Sequence, residues 1–145
     1  MKPACRDLQS HFLSHHHNGK QAIENADRGR VGIALACSVA LDEWGKPNWP
    51  TDARWDYVVV DQHGRMLAVE VHPATDGEVA SVIEKKVWAE ARLAEAEIAA
   101  KQWWWIPSGK STITPTGRRR RQLSLKGIHL SRRILDEQQV KKVER

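Results

Sequence analysis

Residues 55–73 read WDYVVVDQHGRMLAVEVHP, and this stretch decides the fold. Trp55–Asp61 is rich in valine and aromatic residues, the composition of a strand, and Met66–His72 forms a second such run. Between them stands Gln62-His63-Gly64. A three-residue connection ending in Gly builds a hairpin from a type I turn and a left-handed residue, a conformation glycine tolerates. In that register Asp61 pairs with Arg65, Val60 with Met66, and Asp56 falls opposite Glu70. A two-residue loop, His63-Gly64, would put Asp56 and Glu70 on opposite faces, because side chains alternate along a strand. The longer loop is favoured because it also sets an acid opposite a base beside the turn.

Directly opposed side chains have Cβ atoms about 4.5–5.5 Å apart, so Asp56 and Glu70 would repel. A shared divalent cation would relieve that repulsion. The competing reading puts both acids at solvated strand ends, where acids usually sit. Both runs, however, are apolar on both faces: Val58, Val60, Met66 and Ala68 on one, Tyr57, Val59, Leu67, Val69 and Val71 on the other. That pattern belongs to a sheet covered on both sides, where an acid needs a partner.

The 145 residues suit one domain spanning 1–145, with a core over about 20–106, a basic loop over 108–124 and a C-terminal helix over about 131–143. No apolar run is long enough to span a membrane, and the N-terminus is polar, which gives the expectation of a cytoplasmic protein. Cys5 and Cys37 form no CxxC and read as reduced, incidental thiols. Residues 1–100 carry 11 basic against 15 acidic residues, a net of −4, whereas 101–145 carry 12 against 3, a net of +9. A basic tail on a mildly acidic body points to a polyanionic partner, nucleic acid first; a plain solvated surface is the alternative.

Outward from the hairpin the signals are weaker. His11, His15, His16 and His17 lie in a polar N-terminal stretch; no HExxH or Cys/His framework surrounds them, so a solvated surface is favoured over a metal site. Residues 20–28 look helical. Val31–Leu41 is a continuous apolar run that suits a buried helix or a buried strand, and its small residues favour helix, ending near Gly45. Thr75 and Glu78 have capping-box spacing and open a helix expected to reach about Lys101. On its apolar stripe of Val79, Val82, Ile83, Val87, Ala94 and Ile98 lies Lys86, while Lys85 points away.

Gln102–Ile106 reads as a strand with Trp103 and Trp105 on one face and Trp104 on the other. Ser108-Gly109-Lys110-Ser111 resembles the end of a phosphate-binding loop, but the required first glycine is Trp104. Arg118, Arg119, Arg120 and Arg121 fall in a Ser/Thr-rich loop and are either solvated or, with Lys110, a phosphate-contacting arm. Gly127–Leu130 suits a last short strand, and Ser131 a cap for the final helix.

The order helix, hairpin, long helix, strand resembles the core of the PD-(D/E)XK nuclease superfamily, the restriction-endonuclease-like fold. The resemblance covers roughly Trp55 to Ile106. It implies an α/β fold, a small mixed sheet flanked by helices with an αβββαβ core. Asp56 matches the first motif acid, Glu70 the second and Val71 the spacer, while His72 stands where the motif has lysine. In some members the lysine comes from the following helix, and Lys86 is the residue placed to take that role.

The resemblance further implies hydrolysis of DNA phosphodiester bonds with Mg²⁺ or Mn²⁺ on Asp56, Glu70 and the Val71 carbonyl. Two carboxylates suit Mg²⁺, which keeps several of its waters. Lys86 would orient the attacking water, and His72 would ligand Mn²⁺ or act as general base, unless it is a satisfied core histidine. The alternatives are a catalytically inactive nucleic-acid-binding domain and a protein-interaction domain. In the latter, seven tryptophans and an Ala-rich helix would make a homodimer face.

Overall fold

The computed structural model describes residues 1–114 and 116–144; Pro115, within the stretch expected as a basic loop, and Arg145 lie outside the described residues. The chain opens with helix α1 (Pro3–Phe12), with Pro3 in the first turn, where a missing N–H costs nothing. Strand β1 (His16–Asn18), the four-residue helix α2 (Asn25–Arg28) and the short strand β2 (Val31–Gly32) lead into β3 (Leu35–Ala40). Helix α3 (Leu41–Gly45) and a loop deliver the chain to the hairpin of β4 (Tyr57–Asp61) and β5 (Met66–His72). The long helix α4 (Val79–Glu95) follows, then β6 (Gln102–Pro107), α5 (Arg118–Leu125) and β7 (Ile128–Leu130). Strand β8 (Leu135–Asp136) and helix α6 (Glu137–Val143) end the described chain.

Six strands form one mixed sheet in the order β1-β3-β4-β5-β6-β7, and β2 pairs with β8 apart from it. From β1 to β5 all pairings are antiparallel; β6 runs parallel to β5, and β7 parallel to β6. A parallel pair needs a long crossover, and α4 provides it between β5 and β6. Side-chain alternation sorts the core into two layers. Val58, Val60, Met66, Ala68, Trp103 and Trp105 pack with α1, α4 and Leu123 of α5. Tyr57, Val59, Leu67, Val69, Trp104 and Ile106 pack on the other side with Val31, Leu135 and Val140 of α6. The tryptophans of β6 divide between the faces as period-two alternation predicts.

The hairpin register is the one set by the three-residue loop. Tyr57 pairs with Val69 and Val60 with Met66, and Asp61 N–H donates to the Arg65 carbonyl at 3.1 Å. Gly64 takes φ of +82°, and its N–H closes on the Asp61 carbonyl. The Asp61 carboxylate, fully buried, accepts from the His63 and Arg65 N–H groups and from Arg65 Nε at 2.6 Å. Arg65 also pairs with Glu137 and, at 3.4 Å, with Glu144, which ties the turn to α6.

Several expectations are corrected. Residues 35–40 are a strand, not a helix: β3 lies between β1 and β4, so its backbone groups are satisfied by neighbours on both edges. Only residues 25–28 of the 20–28 stretch are helical. Helix α4 stops at Glu95 rather than near Lys101, because Glu97 turns left-handed and Lys101 N–H already bonds the Met66 carbonyl on the way into β6. Thr75 makes no side-chain cap, because the Glu78 N–H donates to the Thr75 carbonyl, and the Glu78 carboxylate is drawn to His72. The buried face of α4 is Val79, Val82, Trp88, Ala89 and Leu93, and Val87 is 63 % exposed. Arg118–Arg121 form the first turn of α5, not a loop. The cap of α6 is Asp136, which accepts from Gln139 N–H, not Ser131. Cys5 and Cys37, expected as separate thiols, are joined, because α1 lies across β3 and brings their Cα atoms to 6.1 Å.

Replacing Asp61 by Ala strands a buried guanidinium. The expected loss is about 3 kcal/mol, the lower end for a broken buried pair because Glu137 and Glu144 still face Arg65. Urea denaturation measures it; a loss within about 0.5 kcal/mol, the size of an ordinary surface substitution, would contradict the lock.

Candidate functional site: an acid pair at the end of the hairpin

The register carries Asp56 to the position facing Glu70, and the two side chains exchange backbone bonds across the strands. Asp56 Oδ2 accepts from Val71 N–H at 2.9 Å, and Glu70 Oε1 accepts from Asp56 N–H at 3.0 Å. Each carboxylate is thereby held on its neighbour's main chain, a rigid mounting on two adjacent strands. Glu70 is fully buried, and its second oxygen, Oε2, accepts from Lys85 Nζ at 2.6 Å.

Lysine at this site is therefore Lys85, not Lys86. Val82 and Ala89 face the sheet, and Lys85 and Lys86 flank the line joining them on opposite sides. Lys85 leans towards β5 and Glu70. Lys86 leans towards β6, lies 5.1 Å from the Trp103 ring centroid, and pairs with Glu90 at 3.2 Å. Counting Val87 in the buried stripe rotates the expected helix face and exchanges the two lysines.

His72 projects from the same strand, two residues beyond Glu70. Its Nε2 lies 2.9 Å from Glu78 Oε2, and its carbonyl accepts from Trp105 Nε1. Val71 enters through its N–H on Asp56. Lys110 sits exposed in the loop after β6, and Arg118, Arg119 and Arg121 are exposed on α5. Arg120 is half-buried and lines a separate cavity of about 630 Å³ with Trp104, His129, Arg132 and Lys142. None of these basic residues is bonded to the acid pair.

Burial is the main reason that both carboxyls are pushed up, Asp56 to about 8, and the proximity of Glu70 raises Asp56 further. Lys85 opposes the rise in both. Its own pKa is raised, burial pulling it down and the carboxylates of Glu70, Asp56 and Asp42 together outweighing that. One ammonium thus stands against two carboxyls, and the pair holds a proton in place of the second positive charge.

Asp56 opens onto a cleft of about 270 Å³ that also holds Glu24, Asp27, Asp42 and Glu43. No local signal in the sequence places Asp42 at this site. It is the second residue of α3, its N–H donates to the Asp56 carbonyl, and its carboxylate is held by Arg54 at 2.8 Å. Tyr57 O–H donates to Asp27 at 2.8 Å on the same wall, and burial and that bond raise the phenol. Asp42 is close enough to raise Asp56, yet among the described residues these acids do not gather into a three-ligand cluster.

No protein-family model matches the chain, and no curated protein matches it. No helix among the described residues is long and apolar enough to cross a membrane.

A carboxyl raised from an unfolded value near 3.8 to about 8 binds a proton in the folded state that the unfolded state releases in between. The stability from Asp56 is full below about pH 4 and is lost as pH rises through about 8. In chelator, the urea midpoint of the wild type should fall across that window, and Asp56→Asn should flatten the fall, a difference on the order of a few kcal/mol. Parallel pH profiles for the two proteins would refute the half-buried, protonated acid.

Proposed function

We propose that the chain is a metal-dependent nuclease-like protein that hydrolyses phosphodiester bonds of DNA, with Asp56, Glu70 and Lys85 as its centre. What carries the reading is the facing acid pair, Asp56 just before β4 and Glu70 on β5, with one lysine bonded to Glu70. The elements α1, β3, β4, β5, α4 and β6, with β1, α2, β2 and α3 interspersed, support it as an αβββαβ arrangement of the restriction-endonuclease-like kind.

The donors fit a hard divalent cation. They are carboxylate oxygens, they carry one negative charge beyond Lys85 once Asp56 gives up its proton, and Asp56 faces an acidic cleft open to solvent. Mg²⁺ or Mn²⁺ there would supply Lewis-acid charge and a bound water of lowered pKa. Asp56 and Glu70 would hold it, each fixed by a neighbouring N–H so that little reorganisation is needed on binding. Lys85, once Glu70 shares its charge with the cation, would turn its N–H donors to the attacking water or to a phosphoryl oxygen. His72, kept at the rim by Glu78, would face the scissile group from the solvent side. Lys110 and the arginines of α5 would contact the flanking phosphates, without reading bases.

The test is cleavage of plasmid DNA in Mg²⁺ and in Mn²⁺. Asp56→Ala should abolish it and Lys85→Ala should lower the rate about 10²–10³-fold, the usual effect of removing one preorganised donor. Lys86→Ala should retain it, which separates the two lysines. Cleavage that survives Asp56→Ala sinks the proposal. Absence of cleavage with salt-dependent binding intact would instead make the chain a binding domain on this architecture. Replacing Arg118–Arg121 by Ser should shallow the logarithmic salt dependence of DNA binding by about 0.9 for each phosphate that is no longer neutralised.

A further inference from the structure

A second cluster lies on the opposite edge of the sheet from α5, where α1 crosses β1 and β3. His16 pairs with Val39 and Cys37 with Asn18, so His16 and Cys37 are diagonal neighbours on adjacent strands. Both project to the layer that holds α1, which brings Cys5 down onto them. The ligand atoms of Cys5, His16 and Cys37 all lie within 4.8 Å of one another. Donors around one tetrahedral Zn²⁺ stand about 3.5–4 Å apart, given bond lengths of about 2.0–2.3 Å. The two joined sulfurs stand closer than that, and once their bond is broken side-chain rotation can part them to coordination spacing around a shared ion with His16. Both cysteines are almost fully buried.

An independent observation singles out His16. Its Nε2 is buried and has no hydrogen-bond partner among the described residues. A stranded polar atom costs roughly 1–3 kcal/mol, and the sulfurs beside it are at best weak acceptors when joined. The nitrogen is positioned for something that the disulfide does not supply.

We propose that Cys5, Cys37 and His16 form a redox-gated site for a thiophilic d¹⁰ cation, Zn²⁺ or Cu⁺. The site is closed while the cysteines are joined and becomes a two-thiolate, one-imidazole site when they are reduced. Opening the site takes two electrons: a dithiol reductant is oxidised to its own disulfide, the Cys5–Cys37 bond breaks, and each sulfur takes up a proton. The incoming cation displaces both protons to solvent as the thiolates bind. Thiolate pairs favour such soft or borderline ions over Mg²⁺, so this centre and the carboxylate pair would not compete for one metal. The inference does not rest on the nuclease reading.

The experiment uses the full chain, reduced anaerobically with excess dithiol and then freed of it. Co²⁺ is added with Mg²⁺ in large excess, and thiolate-to-cobalt charge-transfer absorption is recorded, a band that carboxylates cannot produce. The expected result is about one equivalent of Co²⁺ per chain, displaced by Zn²⁺. A parallel titration with Cu⁺ against a chromophoric chelator decides which ion binds more tightly.

The oxidised chain should give no band. His16→Ala should weaken binding at least about tenfold, since loss of even a supporting residue costs that much at metal sites. The Cys5→Ala/Cys37→Ala double variant keeps small apolar side chains in the core, and it should bind nothing while retaining the wild-type circular dichroism. Either of two results overturns the proposal: a reduced wild type that takes up no more metal than the double variant, or a His16→Ala variant that binds as tightly as the wild type.

Discussion

One buried carboxylate sets the geometry of the molecule. Asp61 accepts three hydrogen bonds at the hairpin turn and faces Arg65, whose guanidinium reaches on to Glu137 and Glu144 of α6. A turn closed in this way admits one register, and parity then propagates along both strands. Slip the pairing by one residue and Asp56 and Glu70 would leave the same face, while the valines of β4 would exchange layers. The facing acids at the far end of the hairpin are thus a consequence of how the turn is locked, and the C-terminal helix is anchored by the same ion pair.

Beyond the turn, where the hairpin opens, the balance of charge is different. Asp61 meets Arg65 inside the core while Glu137 and Glu144 reach that guanidinium from the solvent side, whereas Asp56 and Glu70 share one Lys85. Sheet cover on both faces removes the water that would otherwise screen them, so the pair is raised and keeps a demand for positive charge. Proteins rarely bury two like charges without compensation. The surrounding acids of α3 and of the stretch before β2 increase that demand, because Glu24, Asp27, Asp42 and Glu43 line the adjoining cleft. A rigid core next to this acidic cleft is the physical ground of the proposed cation chemistry.

Legibility follows the range of the interaction. The hairpin, its register and the facing acids can be read because they depend on a three-residue turn and on period-two alternation, both local. The division of Trp103 and Trp105 from Trp104 can be read for the same reason. Residues 35–40 cannot: a run of small apolar residues has no period of its own, and only the strands on either side of β3 make it a strand. Periodicity selects Lys86 over Lys85 wrongly, because two adjacent helix positions flank the buried stripe about equally. The choice between them depends on how α4 lies across β5 and β6.

Asp42 and the Cys5–His16–Cys37 cluster are hidden for a further reason: their members are far apart in the chain and become neighbours only when α1, β1, β3 and β4 assemble. The sequence alone determined the turn chemistry, the alternation and therefore the pairing of Asp56 with Glu70, since these need nothing beyond adjacent backbone. Tertiary structure decided which lysine answers Glu70, which acids surround Asp56 and which side chains meet the two cysteines. Those outcomes are set by the packing of helices on the sheet, a contest among long-range burial energies that no local pattern encodes.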